Sequence, residues 1–576
     1  MKYWELVFAH LFKMEDSKKT KVPITITDVR ILILALSVIV IPLLFFIFTL
    51  PVYVPILLGV CIYKVISWKQ SGRGPSIHNE NAQKNVTVCI VGAGFSGLCM
   101  GIKLKMAGIR FTIIEKSSDV GGTWWDNRYP GCACDVWSNV YQFTFFENPK
   151  WSCLVVPAKE ISQYLRDAAK HFNLYKHIDF NTSVEKATWN EEDKTWKVVT
   201  NHPDHEEIVA THLVSACGVL RKPNLPEIPG IGTFKGKSFH SQQMKPDLEN
   251  YRGKRVAVVG SAASAVQICP AIVDHVKELY VFQRTPNWII PKFNPDIPNW
   301  IKVLFTKIPL LATIVRLYLF TMFEFFGVIV LNKGFLSSLY KFALRRHYKN
   351  LVPDNEQLLE KITPNFGIGC KRILLSNDFI PMFATKKNAH LITDQIIGID
   401  EDGITTKAGK HYEVDVIVYA TGFSNEESIC GFETVGREQN TTLKTYFDEH
   451  PTAYLGITVP KFPNMFLMLG PNTVLAHNSV TFMMECAADY ALDCINQGVQ
   501  SGVSSLEVRK KVTDEFRLEM NKMSSKKNFQ GNCRSWYKNK DGINFILWPS
   551  NLFRYWWLTR KAQILRDFKI TFFKNE

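Results

Sequence analysis

Two glycine-rich turns constrain this chain more than anything else in it. The first runs Val86-Thr87-Val88-Cys89-Ile90-Val91-Gly92-Ala93-Gly94-Phe95-Ser96-Gly97, and the second Arg255-Val256-Ala257-Val258-Val259-Gly260-Ser261-Ala262-Ala263-Ser264-Ala265. Each follows a β-branched apolar run and leads into a helix-compatible segment. A pyrophosphate held at a helix N-terminus needs backbone N–H groups with no side chain in the way. Gly92 permits the tight turn, Gly94 the close approach, and Gly97 the packing of helix on strand. The next strand, Phe111–Ile114, ends at Glu115, roughly 20 residues on, where a carboxylate can accept from ribose hydroxyls. The second turn carries Ala262 and Ala265 where glycine is preferred, and its methyl at 262 sets the backbone slightly back. Its following strand ends in Gln283-Arg284-Thr285, and a cation there suits a 2′-phosphate. Two turns in one chain imply two dinucleotides, with electrons passing from one to the other.

Between the turns lies Gly121-Gly122-Thr123-Trp124-Trp125-Asp126-Asn127-Arg128-Tyr129-Pro130-Gly131-Cys132-Ala133-Cys134-Asp135. With Gly369-Cys370-Lys371-Arg372, Ala420-Thr421-Gly422, Gly470-Pro471-Asn472 through His477-Asn478-Ser479, and Ser535-Trp536-Tyr537-Lys538-Asn539, this run resembles the signatures of Baeyer–Villiger monooxygenases. Those flavoproteins use FAD, NADPH and dioxygen. The resemblance runs from about Val86 to Thr559. One departure stands out. In Phe234-Lys235-Gly236 through His240 to Met244-Lys245, methionine replaces the family's tryptophan. Met244-Lys245 leans towards the related N- and S-oxidising flavin monooxygenases, whereas the Trp124–Asp135 run leans the other way.

The resemblance implies roles for particular residues. FAD falls to Gly92, Gly94, Gly97 and Glu115, with Thr123, Trp124, Asp135, Tyr141 and Val184 also touching it. NADPH falls to Gly260, Ser261, Ser264, Arg284 and Thr285, with Lys371 as second 2′-phosphate partner and Trp536 on a mobile loop over the nicotinamide. Arg372 matches the catalytic arginine, a cation that keeps its proton, and Asp135 would orient it. The implied reaction inserts one oxygen beside a ketone carbonyl through a flavin C4a-peroxide, giving an ester or lactone, and the apolar, aromatic-rich composition with its long uncharged run suggests a lipophilic ketone. N- or S-oxygenation on the same scaffold is one alternative, and an oxidase-like flavoprotein that has lost oxygenation is another. His240 reads as conformational, and His477 and Asn478 as helping to close the FAD domain.

The fold expected is α/β, with two Rossmann-like dinucleotide-binding domains and a helical insertion, preceded by a membrane helix or hairpin. The boundaries are a basic tail at 1–30, a membrane segment at 31–66 and a linker at 67–84. An FAD domain follows at 85–225, and an NADP domain at 226–390 with helices at about 290–365. Residues 391–576 complete the FAD domain and the substrate region. Ile31 to Tyr63 carries no charge and exceeds the ~20 residues one span needs. Basic residues flank it on both sides, so a single tilted helix or a hairpin at Leu50-Pro51 both fit. The reading is a membrane-anchored protein, of the endoplasmic reticulum or another intracellular membrane, with its catalytic part facing the cytosol. The net charge of +15 then matches anionic lipid and two polyanionic cofactors, with no nucleic-acid partner. Ile301 to Leu331 is apolar but interrupted by Lys302, Lys307, Arg316 and Glu324. Core or tunnel wall is its commoner outcome, and a membrane-lying surface the other. The thirteen cysteines are scattered singly and read as reduced thiols. Cys132-x-Cys134 is too tight for a zinc ribbon, and no metal site is expected.

Overall fold

The computed structural model describes residues 86–573, apart from 204–205, 425–428, 430, 450 and 540. The expected tail, membrane segment and linker lie outside the described residues. Thr87–Val91 is buried at every position but its first. Such a strand needs neighbours on both edges and cover on both faces. It pairs in parallel with Arg110–Ile114 on one side and His212–Ser215 on the other. Ile178–Asp179 and Met465–Leu467 extend the two edges, giving a five-stranded parallel sheet.

Arg255–Val259 repeats the arrangement. It lies between Glu278–Phe282 and Val416–Tyr419, with Ala389–Ile392 and Lys237–His240 outermost, again all parallel. Each turn-bearing strand is therefore central in its own sheet, and its turn opens a helix: α1 (Phe95–Met106) and α2 (Ala263–Ile272). The second sheet takes Val416–Tyr419, beyond the boundary expected at 390. An all-apolar Val-Ile-Val-Tyr strand fits the centre of either sheet, so its partners are a tertiary outcome.

The insertion consists of α3 (Asn299–Lys307), α4 (Pro309–Leu331) and α5 (Phe335–Leu351), followed by a short helix Glu356–Ile362. Along α4, Pro309–Val328 is long and apolar enough to cross a membrane. The core expectation for this segment holds only for its inner face, which carries Arg316, Leu319 and Val330 inward. Its outer face is exposed, and the reason lies in where its charges go. Arg316 turns inward to Glu147 at 3.3 Å, and Glu324 turns inward to His477 at 3.0 Å.

His212 makes the first sheet sensitive to acid. Its ring stacks on Phe466, and the Thr211 hydroxyl lies 2.9 Å from Nδ1. Burial pulls its pKa from 6.5 down to about 4. Between those values the unfolded chain binds the proton and the folded chain does not. Stability is therefore full above pH 6.5 and declines as pH falls towards 4, by up to about 3 kcal/mol. Urea midpoints measured from pH 7 to pH 4.5 should fall, and His212→Asn should flatten part of that fall. An identical decline in the variant would place the acid lability elsewhere.

Candidate active site

A cleft of about 1580 Å³ opens between the two sheets and is lined by both turns. It exceeds the ~300–1,000 Å³ usual for a single small ligand. Gly92 has φ +109°, and a Cβ there would lie 2.6 Å from the Ala216 carbonyl oxygen. Gly260 has φ +113° and meets the Ala420 carbonyl oxygen at 2.4 Å in the same sense. Each turn is thus pressed against the first residue after the neighbouring strand, where only glycine fits. No side chain caps α1 or α2, which leaves their first N–H groups available to a phosphate.

The two turns differ at their second position. Gly94 has φ −80° and ψ −165°, and Ala262 has φ −90° and ψ −163°, so the backbone there is ordinary for any residue. A Cβ on Gly94 would meet Gly122 at 3.6 Å, an ordinary contact, and the Ala262 methyl is exposed at the cleft. Gly97 does not line the cleft. A Cβ there would overlap the Gly92 carbonyl at 1.7 Å, so its place is helix-on-strand packing. Ala265, its counterpart, is fully buried against the second sheet.

Glu115 is buried, and its carboxylate accepts from the N–H of Ala93 at 2.6 Å and of Ser117 at 2.8 Å. Desolvation raises its pKa against those two bonds. It fixes the shape of the first turn as well as lining the cleft. Thr123 opens the short helix Thr123–Asp126, and Trp124 Nε1 donates to the Tyr141 hydroxyl at 3.1 Å. Thr123, Trp124, Tyr141 and Val184 line the wall nearest the first turn.

Across the cleft, Ser261, Ser264, Arg284, Thr285 and Lys371 line the second turn's side. Burial, and then the charge of Arg284, pull the Lys371 ammonium below its usual range. Neither cation has a carboxylate partner among the described residues. Two neighbouring unpaired cations form a site for a doubly charged anion. Asn287, unmarked in the sequence reading, donates to the Ser261 carbonyl at 2.9 Å and holds that turn.

Asp135 and Arg372 join the two halves. Arg372 Nε donates to Asp135 Oδ2 at 2.8 Å, Nη2 to Oδ1 at 2.6 Å, and Nη1 to the Leu475 carbonyl at 3.0 Å. Among the described residues these bonds use three of the five N–H donors an arginine carries, leaving two at the cleft. Burial works against the guanidinium charge, but the Asp135 carboxylate outweighs it and raises the pKa. Asp135 ends a turn that plugs onto α2. The Tyr129 hydroxyl donates to Gln267 Oε1 at 3.0 Å, and Gln267 Nε2 donates to the Ala133 carbonyl at 3.0 Å. Gly131 lets that turn approach, since a Cβ there would meet the Gln267 carbonyl at 2.4 Å.

Trp536 lines the same cleft beside Tyr537. The Tyr537 hydroxyl is buried without a hydrogen-bond partner among the described residues, and desolvation pushes it up to about 12 despite the Arg372 charge. The reading of all cysteines as reduced thiols is corrected here. Cys370 and Cys533, 163 residues apart, form a disulfide with Cα atoms 6.2 Å apart. No spacing rule reaches that far, and only the fold brings the pair together. His240 is removed from catalysis. Its Nδ1 accepts from the Gln242 N–H, so Nε2 is the donor to the Gly422 carbonyl at 2.9 Å. His477 and Asn478 do more than close a domain. Both bind Glu324 of α4, whose other oxygen accepts from the Leu552 N–H.

Two outcomes follow from this geometry. Lys371→Ala or Arg284→Ala should raise KM for NADPH 10- to 100-fold and leave NADH turnover unchanged, the scale of a lost charged hydrogen bond. An equal loss with NADH would place the cations away from the 2′-phosphate. Alkylation of the denatured, unreduced enzyme should leave Cys370 and Cys533 unlabelled until a reductant is added, as read by peptide mass. Labelling of either without reductant would break the pairing.

The model for the FMO-like, flavin-binding monooxygenase-like family matches residues 84–435. A Baeyer–Villiger monooxygenase of Pseudomonas aeruginosa is 37% identical over 486 residues, spanning 83% of this chain and 90% of that protein. Among solved structures, OTEMO in complex with FAD and NADP superposes with a TM-score of 0.77 at 26% identity, covering 84% of this chain and 99% of that one. Oxidised steroid monooxygenase bound to NADP gives 0.75 at 27%, with the same coverage. A family match spanning both turns and the Asp135–Arg372 pair, with a relative alike over most of its length, means that this chain belongs to the flavin-binding monooxygenase-like family.

Proposed function

We propose that this protein is an FAD-dependent NADPH monooxygenase that performs Baeyer–Villiger oxidation of a lipophilic ketone. NADPH supplies two electrons. One atom of O2 enters the product between the carbonyl carbon and its neighbour, and the other leaves as water. The observation that carries this reading is the Asp135–Arg372 pair. Asp135 occupies one side of the guanidinium with two hydrogen bonds and fixes its plane. The remaining N–H donors meet the cleft, where negative charge on oxygen must be stabilised without a proton being given up. Bound FAD would supply the electron transfer to oxygen. Gly92, Gly94 and Glu115 shape its cradle, and Trp124 and Tyr141 wall it from water. Arg284 and Lys371 would select the phosphorylated nicotinamide cofactor.

The protein is further proposed to be anchored in an intracellular membrane, such as the endoplasmic reticulum, with this body on the cytosolic side where NADPH is made available. Support comes from the uncharged run Ile31–Tyr63 and its basic flanks. The disulfide is compatible with a reducing compartment because both cysteines are buried, Cys370 to 1% and Cys533 to 9% exposure. A thiolate must reach a sulfur to exchange with it.

Arg372→Ala should lower ester formation from a long-chain ketone by at least about 100-fold, as for loss of an oxyanion donor. NADPH-driven flavin reduction, followed by stopped-flow absorbance, should stay within a few-fold. Undiminished ester in the variant would overturn the mechanism. Turnover of amines or thioethers but no ketone by the unaltered enzyme would move the reading to heteroatom oxidation.

A further inference from the structure

We propose that the outer face of α3, α4 and α5 docks on the surface of a bilayer containing anionic lipid. The inference is independent of the reaction proposed for the cleft. It starts from α4, which is built inside out. A helix on a water-facing surface turns its apolar stripe inward and its charges outward. Here Arg316 and Glu324, the only ionic side chains on α4, both point inward. Arg316 also donates to the carbonyls of Gln142 and Phe143. Apart from Thr321, the exposed outward positions are instead apolar. Leu310 is 60% exposed, Ile314 50%, Phe325 46% and Val328 56%. These positions fall at helical spacing along one side.

The neighbouring helix continues the surface. On α5, Phe335 is 79% exposed and Phe342 66%, with Leu339 between them at one-turn spacing. The same stripe then reaches Arg346 and Lys349, both exposed. Of the twenty-four large exposed hydrophobic side chains among the described residues, twelve lie between Phe293 and Phe342. Scattered surface leucines need no explanation, but half of them within fifty residues form a patch that does.

Charge decides what covers that patch. Residues 299–351 contain eight lysines and arginines and one carboxylate, Glu324. With Arg316 and Glu324 turned inward, Lys341 over the buried Trp288 ring and Lys333 on the Ser525 carbonyl, five cations and no carboxylate remain. A second copy is a poor occupant, because a two-fold interface sets the same patch against itself and like charges against like. Anionic headgroups above an acyl layer match both properties, with apolar side chains entering the acyl boundary and basic ones staying among the phosphates. A bilayer is also the partner that the apolar run at 31–63 would supply.

The test uses the full chain in vesicles of phosphatidylcholine and phosphatidylserine, with a photoreactive p-benzoylphenylalanine placed at Phe335 or at Val209. Val209 is 58% exposed on a different element and controls for anchoring through the N-terminal segment alone. Lipid adducts at position 335 should exceed those at 209 by at least tenfold. A Leu339→Glu/Phe342→Glu variant should reduce the 335 adduct about tenfold while leaving NADPH-driven flavin reduction unchanged. Equal adducts at 335 and 209, or a 335 adduct to a second protein chain in place of lipid, would overturn the proposal. Loss of flavin reduction together with the adduct in the variant would also overturn it, since the patch would then be supporting the fold.

Discussion

The Asp135–Arg372 pair is the interaction on which the rest of the site depends. Asp135 ends the turn that follows the first dinucleotide unit, and Arg372 follows the helical insertion of the second. Their two hydrogen bonds, at 2.6 and 2.8 Å, close the cleft's floor across that seam. A bidentate pair fixes both distance and plane, which a single contact from a lysine would not. The surrounding bonds serve the same alignment. Gln267 holds the Tyr129–Asp135 turn against α2, Leu475 takes the third arginine donor, and Gly131 removes the side chain that would keep the turn away. The whole Gly121–Asp135 motif is therefore an interface motif. It lines one cofactor site, but its end point is the arginine that comes from the other side.

The two halves also show how one architectural solution tolerates different sequences. Gly92 and Gly260 are equivalent and obligatory, because each is driven into left-handed φ by a carbonyl on the next strand. Gly94 and Ala262 share one conformation, so that position does not call on glycine's backbone freedom. The second turn therefore departs from the usual glycine pattern without losing the geometry of a helix N-terminus aimed at the cleft.

Much of this was legible in the chain. The turns, the carboxylate at 115, the cations at 284 and 371, and the pairing of 135 with 372 all come from local patterns or from a resemblance that rests on them. What escaped depended on contacts between distant segments. Cys370 meets Cys533 only after the fold is complete. Glu324 looked like an interruption in an apolar run, yet it binds His477, Asn478 and the backbone at Leu552. Hydropathy counted the two charges of α4 without their direction, so it put core or tunnel wall ahead of a surface. The sheet that takes Val416–Tyr419 was not legible either, since an all-apolar strand buried on both faces suits both sheets.

The disulfide bears on how the aromatic at position 536 can move. Cys533 is three residues before Trp536, and Cys370 two residues before Arg372. An extended chain covers no more than ~3.6 Å per residue, so Trp536 can range at most ~11 Å from its cysteine and Arg372 at most ~7 Å from its own. With the two Cα atoms of the bridge 6.2 Å apart, the tryptophan and the arginine share a short leash. The segment can pivot about a fixed pin but cannot drift away. The tryptophan backbone is therefore never further from the arginine than that leash allows.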